Sequence, residues 1–277
     1  MQGKIYSPKL FMMEFVSLLL ALLFLVPFYF VFANSFKSFA ELLIDTASLP
    51  QHWNWDNYAR AWEALKFPRV FTNSLLITAL SDICIVAFSS MAAYRLVRRP
   101  SRGNRLLFSF FVAAMVIPFQ AVMIPLVKVG TWFGFLNSIY GIVFCYTGLG
   151  VSFSMFLYHG FIKSIPLEVE ESAVVDGCSP YGVFWRIVFP LLKPMTVTVI
   201  VLQSLWIWND FLLPLLVLQK PDLRTIQLSI NALFGQYTKQ WDLALAALVM
   251  GIVPILAFFL SLQRHIIQGI TAGAVKG

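Results

Sequence analysis

Six apolar runs, each about twenty residues or longer, decide what this chain can fold into. They cover residues 10–33, 71–94, 106–127, 139–162, 191–218 and 243–263; about 20 helical residues cross ~30 Å of hydrocarbon. Inside a bilayer no water bonds the backbone, so each run must satisfy its own N–H and C=O groups as a helix. An all-α integral membrane protein with six transmembrane helices follows. Composition agrees, because 59% hydrophobic and 12% charged residues leave too little polar surface to cover a water-soluble globule. The first run follows Lys4 and Lys9 as a signal peptide would, but at about 24 residues it outruns the usual signal core and predicts a retained span.

A net charge of +7 over 277 residues raises nucleic acid as a partner. No soluble segment carries a basic stripe with interleaved aromatics, and Lys and Arg accumulate in the cytoplasmic loops of membrane proteins anyway, so the charge argues for lipid and against nucleic acid. The densest cluster, Arg95, Arg98, Arg99, Arg102 and Arg105, predicts that the loop between the second and third spans is cytoplasmic. Alternation then puts both termini and residues 163–190 on that side, and residues 34–70, 128–138 and 219–242 outside. The expected location is a membrane crossed many times. In the first outer segment Trp53, Trp55, Tyr58 and Trp62 alternate with polar residues, as in an interfacial amphipathic helix.

Cys84, Cys145 and Cys178 have neither metal-site spacing nor a disulfide pattern. Pro27, Pro118, Pro125, Pro214 and Pro254 interrupt the apolar runs. No internal repeat or flexible linker divides the chain, which reads as one membrane domain over residues 1–277.

The segment between the fourth and fifth spans carries two helix signatures in series. Pro166 suits a first turn, Glu168, Glu170 and Glu171 complement the positive end of a helix dipole, and Gly177 supplies a left-handed cap. Ser179 and Pro180 then open a second helix, with Tyr181, Phe184, Trp185 and Val188 at i, i+3, i+4 and i+7 on one apolar face; Pro190 marks its junction with the fifth span. A plain connection between spans would also fit. Docking is favoured by Ala173 and Gly177, small residues one turn apart that permit close approach, and by Glu171 and Asp176, whose carboxylates can receive basic or amide groups; a solvated helix face is the other reading of those acids.

At these residues the chain resembles a known family. Glu171, Ala173, Gly177, Ile187 and Pro190 are spaced as in the EAA loop of permease subunits of ATP-binding-cassette (ABC) importers. The stretch WNDFLLPL, residues 208–215, and the terminal QRHIIQGITAGAVKG, residues 263–277, resemble the carbohydrate-importer branch. Ser172 departs from the usual Ala, and Phe189 from the usual Leu. The resemblance implies a type I importer transmembrane fold in which residues 164–190 form a coupling helix loop seated in an ATPase subunit. It implies as ATPase-coupling residues Glu171, Ser172, Ala173, Asp176, Gly177, Ser179, Phe184, Ile187 and Pro190. It also implies the partners: a second permease subunit, two ABC ATPase subunits, an extracytoplasmic solute-binding protein and a carbohydrate substrate, with residues 271–277 as a further ATPase contact. No G-x-x-x-x-G-K-[ST] loop occurs here, so this chain is expected to bind no cofactor, with ATP and Mg on the partner ATPases.

Ionisable groups within spans must face the bundle or a cavity. Candidates for a translocation path are Asp82, Gln120, Gln203, Trp206, Trp208, Asn209 and Asp210, with Ser204 beside them. Aromatic faces with amide and carboxylate groups hold sugars; the other reading of the Asn209–Asp210 cluster is a polar bracket for the helix kinked at Pro214. Residues 219–242 correspond in position to a loop that, in the family's maltose system, reaches into the binding protein's sugar cleft, which makes Gln236, Tyr237 and Lys239 candidate contacts. Two other classes compete: an ion-coupled secondary transporter using Asp82 and Asp210, and a membrane-embedded enzyme, for which no catalytic pairing stands in the spans.

Overall fold

The computed structural model describes residues 8–234 and 240–274, with side-chain surroundings through Gln263. Among them the secondary structure is helical, without strands. In chain order come α1 (Pro8–Ser35), α2 (Phe39–Ile44), α3 (Asp56–Leu65), α4 (Phe67–Arg98), α5 (Arg102–Ala114), α6 (Phe119–Phe133), α7 (Ile139–Ile162), α8 (Glu168–Val175), α9 (Pro180–Gly182), a π turn (Val183–Val188), α10 (Phe189–Leu191), α11 (Lys193–Asn209), α12 (Leu212–Val217), α13 (Ile226–Leu233) and α14 (Trp241–Ala274).

Among the described residues four helices, α1, α4, α7 and α14, are long and apolar enough to cross a membrane unbroken. Two bent pairs raise that to as many as six if each pair is one span. One is α5 with α6, bent by 102°; the other is Pro180–Leu191 with α11, bent by 74°. The sequence leads one to expect a single helix over residues 106–127, and the structure corrects this. α5 stops at Ala114, and Pro118, at φ −67° and ψ 140°, starts α6 in a new direction. Proline has no N–H for the ladder and pushes the residue before it out of helical space. Pro27, Pro125 and Pro254 lie inside continuous helices. The fifth span, expected over residues 191–218, likewise divides, because α11 ends at Asn209 and α12 begins at Leu212.

The chain forms two compact units. In the first, residues 1–67 and 230–253, α1 is exposed along most of its length and is buried only at its end, Ala33, Asn34 and Ser35. Polar groups there are closed internally. Asn57 donates to the carbonyls of Ser35 and Lys37, Lys37 is fully buried and donates to the carbonyl of Asp45 at 2.8 Å, and Arg60 pairs with Asp242 at 3.2 Å. Phe36 lies among Phe32, Trp53, Trp55 and Tyr58, with ring centroids 4.8–5.3 Å away. Burial raises the pKa of Tyr58, partly offset by its hydrogen bond with Ser35. Asp45 is held below the usual carboxylate range by the N–H groups of Ala47 and Ser48. The amphipathic α3 expected from the tryptophans is present, with Ala61 and Leu65 inward and Trp62 outward.

In the second unit, residues 68–229 and 254–277, α7 packs on α5 and α11 around Tyr146, Met155, Tyr158 and Ile162, all fully buried. Apolar burial drives little between helices already in lipid, so close approach and polar clasps must hold them. Gly150 provides the approach: a Cβ there would lie 2.6 Å from the Ile85 side chain. Gln203 Nε2 provides a clasp, donating to Ser154 Oγ at 2.9 Å and to the Gly150 carbonyl at 3.4 Å, and the Tyr158 hydroxyl meets Thr196 at 2.9 Å. Asn73 donates to the carbonyls of Asp222 and Arg224, fixing the chain before α13.

Candidate functional site

α8 ends as its sequence requires. Gly177 takes φ +85°, its N–H bonds the Val174 carbonyl, and the Cys178 N–H bonds the Ala173 carbonyl, both at 3.0 Å. Those two bonds form a Schellman motif, which a residue with a Cβ would strain. Two residues later Ser179 Oγ accepts the Gly182 N–H at 3.2 Å with Pro180 at the first helical position. Two helix ends are thus locked within six residues. The result is a short segment capped at both helix ends.

The second helix is not the regular one that its apolar spacing predicts. Residues Val183–Val188 form a π turn, with the Phe189 N–H reaching back to the Phe184 carbonyl, and it ends just before Pro190, which has no N–H to continue the ladder. The wider turn shifts the buried face to Val183, Phe184 and Val188. Tyr181 and Trp185, expected on that face, are 79% and 44% exposed. Ile187 is half-buried and Pro190 exposed.

The loop therefore has two faces. Outward stand Glu171, Ser172, Asp176, Gly177 and Ser179, beside the exposed apolar side chains Val174, Val175 and Tyr181. Inward, Ala173 is buried in the chain's own core with Phe184, where its small size serves internal packing. Glu170, read from sequence only as a dipole partner, is 5% exposed. Its carboxylate accepts Arg98 Nε at 2.7 Å and the Tyr94 hydroxyl at 2.8 Å, while Arg98 Nη2 donates to the Ile165 carbonyl at 2.9 Å. One arginine of the basic cluster thus closes an internal pair. The Tyr94 ring also packs on Phe184, centroids 5.2 Å apart. No local pattern announces these contacts; the pair spans 72 residues.

The polar residues within the spans do not converge on one site. Trp206 and Trp208, two positions apart on α11, point to different sides, as a helix demands. Trp208 lines an open apolar groove of about 370 Å³ with Phe71, Thr78, Asp82, Ser204 and Phe258. There Asp82 Oδ2 accepts the Ser204 hydroxyl, while Asp82 Oδ1 and Thr78 Oγ1 have no partner. Trp206 lines a second groove with Gly150, Phe153 and Gln203. Asp210 belongs to neither lining. Its Oδ1 caps the Leu212 N–H at 2.9 Å and its Oδ2 accepts the Tyr146 hydroxyl at 2.9 Å, and Tyr146 in turn meets Trp206 edge-on at 5.4 Å. Both Asp210 oxygens thus bracket the break between α11 and α12. Asn209 is exposed and bonds back to the Leu205 carbonyl, and Gln120 is exposed in the first turn of α6. Gln236, Tyr237 and Lys239 lie outside the described residues, as do residues 275–277 of the tail; α14 runs through Ala274.

Comparison with known proteins fits this architecture. Residues 85–272 match the family model "Binding-protein-dependent transport system inner membrane component". The chain is 45% identical to the probable starch degradation products transport system permease protein AmyC of Thermoanaerobacterium thermosulfurigenes, over 99% of each chain. It is 34% identical to the melibiose/raffinose/stachyose import permease protein MelC of Bacillus subtilis (strain 168), over 91% of each. A crystal structure of a bacterial ABC transporter involved in the import of the acidic polysaccharide alginate shares the fold, with a TM-score of 0.79 at 23% identity, over 95% of this chain and 99% of that one. With four to six apolar candidate spans, a two-faced loop after α7, and these relatives, the chain belongs to the family of binding-protein-dependent transport system inner membrane components, the multi-pass permease subunits of ABC importers.

Proposed function

We propose that this permease carries sugars or oligosaccharides, delivered by an extracytoplasmic solute-binding protein, across a bacterial cytoplasmic membrane with both of its termini inside. It works with a second permease and two ABC ATPases, which hold the ATP and Mg. The outward face of residues 168–190 is the ATPase seat, and Glu171 and Asp176 receive donors from it. The observation that carries this reading is the exposure of Val175, at 86%, and Tyr181 beside those acids on a doubly capped loop. Exposed apolar residues rimmed by charge mark interaction surfaces. The starch-product and melibiose/raffinose/stachyose relatives support a saccharide cargo.

Ion coupling through Asp82 and Asp210 finds no support in the geometry, because both oxygens of Asp210 are engaged and Asp82 lines a groove that Asp210 does not. Proteoliposomes separate the two readings. The complete transporter should accumulate labelled maltotriose or raffinose only with ATP on the ATPase side and binding protein on the other. Uptake by this chain alone, driven by a proton or sodium gradient, would establish the ion-coupled reading instead.

A further inference from the structure

The loop's covalent neighbours are α7, which precedes it, and α11, which follows the bend at Leu192. Any force on the loop reaches those two spans through the chain itself. The Glu170 network adds a third. Arg98 and Tyr94 lie on the last two turns of α4 and grip the same carboxylate, one on each oxygen, and Arg98 also holds the carbonyl of Ile165, before α8 begins. Side-chain exposure is 15% for Arg98 and 7% for Glu170. A charge-assisted pair with little water access is stronger and less easily screened than a surface pair. Tyr94 against Phe184 extends the grip to the π turn. From this end α4 runs back through Asp82, whose carboxylate meets Ser204 of α11 along the open groove.

We propose that Glu170 is a positioning residue for transport: through Arg98 and Tyr94 it makes α4 move with the loop, so that the groove between α4 and α11 follows the state of the ATPases. Glu171, its neighbour, faces the partner; Glu170 faces the chain. The proposal rests on the reading of the loop as an ATPase seat and assigns a separate duty to its buried face. Loss of Glu170 leaves the seat in place and disconnects one span from it. Hydrolysis then continues with less sugar moved per ATP.

The test uses the complete transporter in proteoliposomes, with maltotriose or raffinose uptake and ATP hydrolysis measured on the same sample, and co-purification of the ATPases as the readout of the seat. Glu170→Gln should lower sugars moved per ATP at least tenfold with co-purification intact, and Tyr94→Phe, which removes one of the two grips, about two- to fivefold. For rescue, Cys84, Cys145 and Cys178 are replaced by alanine and Arg98→Cys is combined with Glu170→Cys. That pair should lose coupling, and a short bis-maleimide bridging it should restore at least a third. A transport ratio within twofold of wild type in Glu170→Gln would overturn the tether. So would parallel loss of co-purification and uptake without rescue by the bridge, since Glu170 would then serve the seat itself. If the wild-type complex takes up no sugar, the transport reading fails, and that result is distinct from either.

Discussion

Glu170 and Glu171 are adjacent in the first turn of α8, yet one is closed against Arg98 and Tyr94 while the other stands exposed beside Ser172. The same division runs through the whole loop. Ala173, Val183, Phe184 and Val188 are packed into the chain's core, whereas the side chains of Val174, Val175, Asp176 and Tyr181 are exposed. The inner face needs nothing more to be satisfied. The outer face leaves apolar area and carboxylates exposed on a doubly capped loop, the pattern of an interaction surface. The difference teaches that the loop is built from within, and offered to something else from without.

Substitutions that tell the two faces apart can break that comparison. The largest effect on stability is expected for Glu170→Leu, which strands a largely buried guanidinium. It should cost about 3 kcal/mol, against at most ~0.5 kcal/mol for Glu171→Leu, read as thermal unfolding of the purified transporter in detergent. Equal losses would mean that the faces are not distinct. Next comes Gly150→Ala, where the added methyl would press on Ile85 across the α7–α4 approach; about 1–3 kcal/mol should be lost, with coupling per ATP unchanged if that packing is only structural. Ser179→Ala should cost about 1 kcal/mol by freeing the Gly182 N–H. Smallest is Tyr181→Ser, within ~0.5 kcal/mol in stability. Its effect should appear instead in retention of the ATPases during purification, and unchanged retention would remove Tyr181 from the seat.

What the sequence reveals and what it hides divide along range. Gly177, Ser179 and Pro180 are legible because capping is settled by three or four neighbouring residues, and the structure places both helix ends there. The spans are legible because hydrocarbon thickness sets a run length. The buried face of the second helix is misjudged, since a regular 3.6-residue spacing assigns Tyr181 and Trp185 inward and a single π turn reverses that. The bend after Ala114 is only half visible: Pro118 announces an interruption, but the 102° angle depends on packing. Glu170 with Arg98 is hidden altogether. Its charges look like dipole partner and loop anchor, and their pairing depends on how α4 and α8 meet. In the WND stretch, read either as sugar contact or as bracket, Asp210 bonds Tyr146 and the Leu212 N–H, contacts that depend on how α7 and α11 meet.

The central claim is that the outer face of residues 168–190 passes work between this chain and an ATPase. It is tested most directly by binding-protein-stimulated ATP hydrolysis in the reconstituted transporter carrying Glu171→Arg with Gly177→Pro. The first change reverses an exposed charge, and the second removes the positive φ that ends α8. The account predicts normal membrane insertion and hydrolysis no higher with the sugar-loaded binding protein than without it. Stimulation equal to wild type would contradict it.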